Sequence, residues 1–248
     1  MASTRLVRSE PALILDSSKR YLVVTDLHIG FESRFVANDI HLNPDDLVAE
    51  TVQRLDSIIE AEGVDVLLLL GDVKSSIDSI SKLEWLTVPR FFEIGKRVET
   101  IVIPGNHDGN LQKLSPDWVT ISSPTGIVIE DVLLTHGHVM PSENLSHVNK
   151  IIMGHVHPVY FKSGSVLDGE RVWVSIKTEK SMIFPSSRGE IEIIIMPSFN
   201  RYFYSASKKN SRRSISPIVE AVRPYPCAKV ATLDGSLIGD ETIISYVL

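Results

Sequence analysis

Six of the eight histidines fall in short polar clusters, and each cluster follows directly on a run of aliphatic residues. In chain order they are Asp26-Leu27-His28, Gly71-Asp72, Gly105-Asn106-His107-Asp108, His136-Gly137-His138 and Gly154-His155-Val156-His157. Rigid strands that end in loops hold side chains in this way around a metal site, because the loops aim them inward from a fixed base. Carboxylate, amide and imidazole donors without thiolate suit Mn²⁺, iron, Zn²⁺, Co²⁺ or Ni²⁺, and suit Cu⁺ or an iron–sulfur cluster poorly. Spacings of Asp-x-His and His-x-His put two donors on one side of an extended backbone, where side chains alternate with period two. Asn106 offers a neutral oxygen that adds no negative charge, and Asp72 is the natural bridging carboxylate. Gly71, Gly105, Gly137 and Gly154 adjoin the candidate donors, where a chain leaving a strand must turn beside a crowded site.

The elements that would position these clusters follow from hydrophobic periodicity. Ala12 to Leu15 and Tyr21 to Thr25 read as two strands of a hairpin joined by a polar turn. Asn43 then caps a helix with Pro44 in its first turn, Asp45 and Asp46 near its positive end, and a stripe of Val48, Val52, Leu55 and Ile59. Gly63 ends it. Val64 to Leu70 is a buried strand, Asp78 to Lys96 a less regular helical stretch interrupted by Pro89, and Val98 to Ile103 the next strand. Alternation of strand and helix implies an at least partly parallel sheet with helices outside it. The second half reads as short strands over 126–130, 132–135, 150–153, 159–162, 171–176 and 190–196, separated by turn residues, which predicts a second, mostly antiparallel sheet.

Composition narrows the function class. The 248 residues are 43% hydrophobic and 23% charged, the balance of a globular protein able to bury a large core. No apolar run approaches the roughly 18–20 residues that cross a bilayer. Neither a long apolar segment nor a small-residue cleavage site follows Arg5 and Arg8, so a cytoplasmic protein without membrane contact is expected. A single cysteine, Cys227, excludes an intramolecular disulfide and a cysteine-rich zinc site. It reads as a small buried apolar residue. The net charge of −6 gives the whole molecule no pull toward nucleic acid. A local exception lies between Pro197 and Val219, where Arg201, Lys208, Lys209, Arg212 and Arg213 accompany Phe199, Tyr202, Phe203 and Tyr204 without an acid. Such a stretch either binds single strands by charge and stacking or is a solvated loop.

The ordered set of DxH, GD, GNHD, HGH and GHxH motifs, spanning Asp26 to His157, resembles the calcineurin-like metallophosphoesterase superfamily. Asp26-Leu27-His28-Ile29-Gly30, Gly71-Asp72-Val73-Lys74 and Met196-Pro197-Ser198-Phe199-Asn200 look most similar to the archaeal SbcD-related and DNA-ligase-associated phosphoesterases. The resemblance implies two divalent ions, with manganese foremost. Asp26, His28, Asp72 and His157 would hold the first ion, and Asp72, Asn106, His136 and His155 the second. It further implies that a hydroxide bridging the ions attacks phosphorus in line, that His107 protonates the leaving group, and that Asp108 orients His107. Elementary chemistry agrees, since two ions about 3.5–4 Å apart lower the pKa of a shared water and neutralise phosphate. In the fourth motif His136 is favoured as the ligand because it directly follows its strand and matches the family's motif, leaving His138 either behind the ligands as their support or beside the phosphate.

The expected architecture is a single α/β domain over 1–248, a four-layer sandwich of two mixed β-sheets flanked by helices, with the metal centre on loops along one edge. Its expected activity is hydrolysis of phosphodiesters of nucleotide or nucleic-acid type, with nucleic acid a possible partner. A phosphomonoesterase or protein phosphatase is the alternative within enzymes. A non-catalytic scaffold on the same fold is the rival outside them, and the presence of His107 with the metal ligands speaks against it. His41 and His147 lie outside every motif and read as structural. Lys74 and Arg34, beside the motifs, read as solvated basic side chains.

Overall fold

The computed structural model describes residues 2–32, 43–202 and 216–248. Among these, strands β1 (Ser3–Leu6), β2 (Leu13–Asp16), β3 (Arg20–Val24), β4 (Val66–Leu69), β5 (Glu99–Val102) and β6 (Val119–Ile121) form a first sheet in that spatial order. Its β1–β2 and β2–β3 pairs are antiparallel, and β3, β4, β5 and β6 run parallel. The second sheet takes β7 (Ile127–Ile129), β8 (Val132–Thr135), β9 (Lys150–Met153), β11 (Glu170–Glu179), β12 (Glu190–Ile195), β13 (Ala228–Thr232) and β14 (Leu237–Asp240) in the order 14-13-11-12-9-8-7, with β10 (Val159–Tyr160) paired to β11. Within it β8–β9 and β9–β12 are parallel and the other pairs antiparallel.

Period-two alternation explains why the central strands are apolar throughout. Leu67 and Leu69 face the helices on the outer side of the first sheet, whereas Leu68 and Leu70 face the second sheet. In β9, Ile152 packs into the same seam between the sheets while Ile151 and Met153 enter the core on the far side of the second sheet. Strands buried on both faces have no polar side to show.

Helix α1 (Pro44–Glu62) lies on the first sheet and buries Val48, Leu55 and Ile58. Asn43 caps it by accepting the Asp45 N–H, and Gly63, at φ 62°, closes it by donating to the Ile59 carbonyl. Helix α2 (Lys82–Phe91) begins in a capping box in which the Ser81 hydroxyl accepts from Glu84 N and the Glu84 carboxylate from Ser81 N. The second sheet is covered by the short helix α3 (Pro217–Ala221) and by 3₁₀ turns such as Glu241–Tyr246. Two mixed sheets flanked by helices are thus the α/β architecture expected.

Three readings need correction. Pro89 lies inside α2 rather than breaking it. The hydrogen bond it forgoes would end on Trp85, an exposed residue near the solvent face, so the loss falls at the surface. Cys227 is exposed, on a turn at φ 52° just before β13. Lys74 is fully buried, and its ammonium donates to the Ser76 carbonyl instead of reaching solvent. Arg34, His41, Phe203, Tyr204, Lys208, Lys209, Arg212 and Arg213 lie outside the described residues.

Candidate metal centre

All five clusters follow the carboxyl ends of parallel strands. Asp26 and His28 leave β3, Asp72 leaves β4, Asn106 to Asp108 leave β5, His136 leaves β8, and His155 and His157 leave β9. Parallel strands end on one edge of a sheet, so the donors of both sheets meet there.

The local backbone is not the extended one the spacing suggests. Asp26, His28, Asp72, His155 and His157 have φ of 57°, 45°, 51°, 71° and 49°. The left-handed region is costly for a residue with a β-carbon and persists where surrounding structure imposes it, which occurs most at functional sites. Here the imposing contacts are visible. Asp26 N donates to the Gly71 carbonyl, His28 N to Asp72 O, and Gly154 N to His136 O. Thr25 Oγ1 bonds both the Asp26 carboxylate (2.9 Å) and the Leu70 carbonyl (2.8 Å). The Met196-Pro197-Ser198-Phe199-Asn200 segment clamps the same loop, because Ser198 Oγ donates to Asp26 O, Asn200 Nδ2 to Leu27 O and Phe199 N to Thr25 O.

Two donor sets result. One comprises Asp26, His28, Asp72 and His157, the other Asp72, His136 and His155, and within each the donor atoms lie within 4.8 Å of one another. Asp72 belongs to both. Its Oδ2 is 3.6 Å from His28 Nε2, and its Oδ1 is 3.3 Å from His136 Nε2. His157 Nε2 stands 2.9 Å from Asp26 Oδ1 and 3.3 Å from His28 Nε2. A β-carbon on Gly105 would fall onto the Asp72 carboxylate and lie 2.8 Å from His136 Nε2, so this turn can pass only as glycine.

The donor set fits divalent cations. His136 Nδ1 lies 2.7 Å from the Leu70 carbonyl, which can only accept, so Nδ1 carries the ring proton and Nε2 is turned toward Asp72. An imidazole nitrogen and a carboxylate oxygen facing each other need a cation or a proton between them. Burial would lower His136, but Asp72 raises it to about 9. Burial alone would raise Asp26 and Asp72, yet the neighbouring histidines hold both down at about 2. Burial lowers His155 to about 4, with His136 adding to the effect, and pushes His28 well below its usual value. Ionised carboxylates beside the neutral imidazoles of His28 and His155 are the protonation states that ligate metal, and at His136 an ion would take the place of the proton on Nε2.

Asn106 is exposed on the turn between Gly105 and His107 and belongs to neither set of acids and imidazoles. His138 is also outside both; its ring centroid is 5.2 Å from that of His136 and 6.0 Å from that of His155. The half-buried His107 sits over the cluster, with Nε2 3.7 Å from Asp72 Oδ2, its backbone N–H on Asp72 Oδ1, and Nδ1 2.5 Å from the Ser75 carbonyl. Its orienting acceptor is therefore Ser75 O and not Asp108. The Asp108 carboxylate is buried and accepts the N–H groups of Val73, Lys74 and Gly105, fastening the second and third motif loops together. Burial, followed by the charge of Asp72, raises Asp108 to about 6. Neither the Thr25 hydroxyl nor the Ser75 carbonyl is marked by a motif, whereas the Ser81-x-x-Glu84 spacing is readable as a capping box. His147 is exposed, away from the centre.

Imidazoles and carboxylates converging at the strand ends of two packed mixed sheets form a cluster that could hold divalent metal. Residues 19–181 match the calcineurin-like phosphoesterase family, and the chain belongs to it; it is a hydrolase of phosphoester bonds in a family that uses divalent metals. Among solved structures it is similar in fold to the Pseudomonas putida nuclease MPE, with a TM-score of 0.58 at 16% identity over 100% of both chains. It is also similar to Yfce, a phosphoesterase from E. coli, with a TM-score of 0.43 at 19% identity over 90% of this chain and 98% of that one. No curated protein matches the sequence significantly. No helix among the described residues is long and apolar enough to cross a membrane.

Proposed function

We propose that the chain, as one domain, is a binuclear phosphodiesterase acting on nucleotide or nucleic-acid esters. The observation that carries the reading is the division of the Asp72 carboxylate, one oxygen toward His28 and the other toward His136. Asp26, His28, Asp72 and His157 would hold one ion; Asp72, His136, His155 and the amide of Asn106 would hold the other. When bound, two such ions supply Lewis acidity, a water of lowered pKa and neutralisation of the phosphate. Manganese suits these oxygen and imidazole donors.

The chain's own groups do the rest. His107, anchored through Nδ1 on Ser75, presents Nε2 toward the cluster and holds a proton there for the leaving oxygen. His138, half-buried beside the second donor set, faces the phosphate. Preference for a diester follows the resemblance of the motifs to SbcD-related phosphoesterases, and the nuclease activity named for the Pseudomonas structure is of the same class.

The test pairs elemental analysis with an activity panel. Purified protein should carry two divalent ions per chain, and the Mn²⁺-loaded form should cleave bis-p-nitrophenyl phosphate faster than p-nitrophenyl phosphate. One ion per chain removes the binuclear reading, and a reversed preference makes the protein a phosphomonoesterase.

A further inference from the structure

We infer that Glu84, a buried acid on α2 with no contact to the metal cluster, is a positioning residue that aims the Ser75 carbonyl at His107. The inference rests on the proposed role of His107 as the acid for the leaving group.

A peptide unit is planar and trans, so its N–H and C=O point in opposite directions. The unit joining Ser75 to Ser76 has its carbonyl 2.5 Å from His107 Nδ1. Its N–H, on the opposite side, is bonded by Glu84 Oε1 at 2.7 Å. Holding one end of the plane fixes the direction of the other. The same oxygen accepts Ser75 N at 2.9 Å, a donor it shares with the Ile29 carbonyl at 3.0 Å. The second oxygen, Oε2, accepts Ser81 N at 2.7 Å and so ties the carboxylate to the first turn of α2. Glu84 is fully buried, and its three N–H donors leave it no freedom to swing away. Lys74 fixes the next peptide by donating to Ser76 O.

The first motif makes room for this wedge. A β-carbon on Gly30 would stand 2.7 Å from Glu84 Cγ, and Gly30 has φ of 95°. The glycine that ends Asp26-Leu27-His28-Ile29-Gly30 is therefore tied to Glu84. A chain of contacts runs from α2 through the 75–76 peptide to the ring of His107, and only His107 itself, through its N–H on Asp72 Oδ1, touches an ion donor.

The experiment compares two esters that differ in their need for an acid. Bis-p-nitrophenyl phosphate releases a stable anion, whereas diphenyl phosphate releases a poorer leaving group and depends on protonation. Glu84→Ala should keep its metal content and lose about 10- to 100-fold in kcat on diphenyl phosphate, the usual cost of an orienting hydrogen-bond partner. On bis-p-nitrophenyl phosphate it should lose no more than about 3-fold. His107→Ala should show the same pattern more strongly, and the double variant should be no slower than His107→Ala alone. Ser81→Ala, which removes the other half of the capping box, should lower Tm without this leaving-group signature.

Two conservative variants cover failure of Glu84→Ala to fold. Glu84→Gln keeps a carbonyl oxygen for Ser76 N and should retain wild-type turnover on diphenyl phosphate, while the shorter Glu84→Asp should lose it. Equal slowing of both esters in Glu84→Ala, an additive double variant, or Asp performing as well as Gln overturns the inference. If His107→Ala itself slows both esters alike, the acid reading fails first; if only the Glu84 variants lack the signature, that reading stands and Glu84 is a helix cap.

Discussion

The two sheets bring unequal things to the metal centre. The first sheet delivers every carboxylate, Asp26, Asp72 and Asp108, with one histidine in a donor set and one above it; the second delivers imidazoles alone, from His136, His155 and His157. Desolvation would raise the buried carboxylates of the first sheet, and the histidines of the second, His157 and His136, do most to hold Asp26 and Asp72 ionised, with lesser help from Thr25 and His28 of the first sheet. Neither half is a site by itself. Their register is set away from the chemistry, in the seam where Leu68, Leu70 and Ile103 pack on Leu134, Ile152 and Met196. The centre is therefore a property of the packing between sheets.

The acid should matter most. Asp72→Asn should empty both donor sets in elemental analysis and cost more than 100-fold in turnover, beyond the roughly 10- to 100-fold that loss of an outer hydrogen-bond partner brings. Retention of one full equivalent of metal would mean that the two sets are separate. On the second sheet the effect should be confined. His136→Ala should lose the ion of its own set only, and His138→Ala should keep both ions with turnover reduced by about 10- to 100-fold. Metal titration showing the reverse would exchange the two histidines without disturbing the division between sheets.

The chemical side of this division was legible because it is written in side chains. Asp26, His28, Asp72, His136, His155 and His157 are polar residues placed after apolar strands, and their order along the chain is that of a known family. The central strands were readable for the same reason, since Val66–Leu69 and Lys150–Met153 are apolar runs that need burial on both faces. Of the edge strands Ile127–Ile129 was readable, but Ser3–Leu6, Val119–Ile121 and Leu237–Asp240 were not, being short, only partly buried and dependent on the partner strand for their conformation. Asp26 and His28 do lie together, but through left-handed φ values imposed by tertiary hydrogen bonds and not through extended period-two spacing, and such values do not show in a pattern. The hold of Ser75 on His107 was invisible for a plainer reason, since a backbone carbonyl has no residue type. Lys74 is fully buried with its ammonium on the Ser76 carbonyl, a tertiary placement that spacing does not foretell.

The seam should cost stability before it costs chemistry. Ile152 is fully buried between the sheets, and Ile152→Ala should destabilise the protein by about 2–5 kcal/mol, the range for a large-to-small change in a packed core. Its effect should appear in chemical denaturation as a lower midpoint, while the variant loaded with metal at 25 °C keeps both ions. A loss below 1 kcal/mol would mean that the sheets are registered by the loops and not by the core.

The smallest effect belongs to the end of the second sheet opposite the metal centre, where the parallel β9–β12 ladder sets Lys150 beside Glu192 on the face turned to the first sheet and Lys150 also donates to Thr4 Oγ1. Lys150 Nζ is 3.2 Å from the Glu192 carboxylate, which also accepts the Ser175 hydroxyl at 3.0 Å. Burial alone would raise this carboxyl, but Lys150 and Ser175 hold it below its ordinary value. A carboxyl lowered in the folded state contributes stability that is present above its unfolded pKa, about 4.3, and is lost as the pH falls through the lower folded value. Glu192→Gln should therefore be less stable than the parent at pH 7 by no more than about 1 kcal/mol, since both partners are partly solvated. The difference should vanish under acid conditions below the folded pKa, where the parent's carboxyl is also neutral. Turnover and metal content should be the same in both proteins at pH 7, because β12 contributes no donor to the centre. A stability gap that persists in acid would show that Glu192 acts through packing along the ladder, and a change in metal content would show that the second sheet transmits strain to its histidines from strands beyond those that carry them.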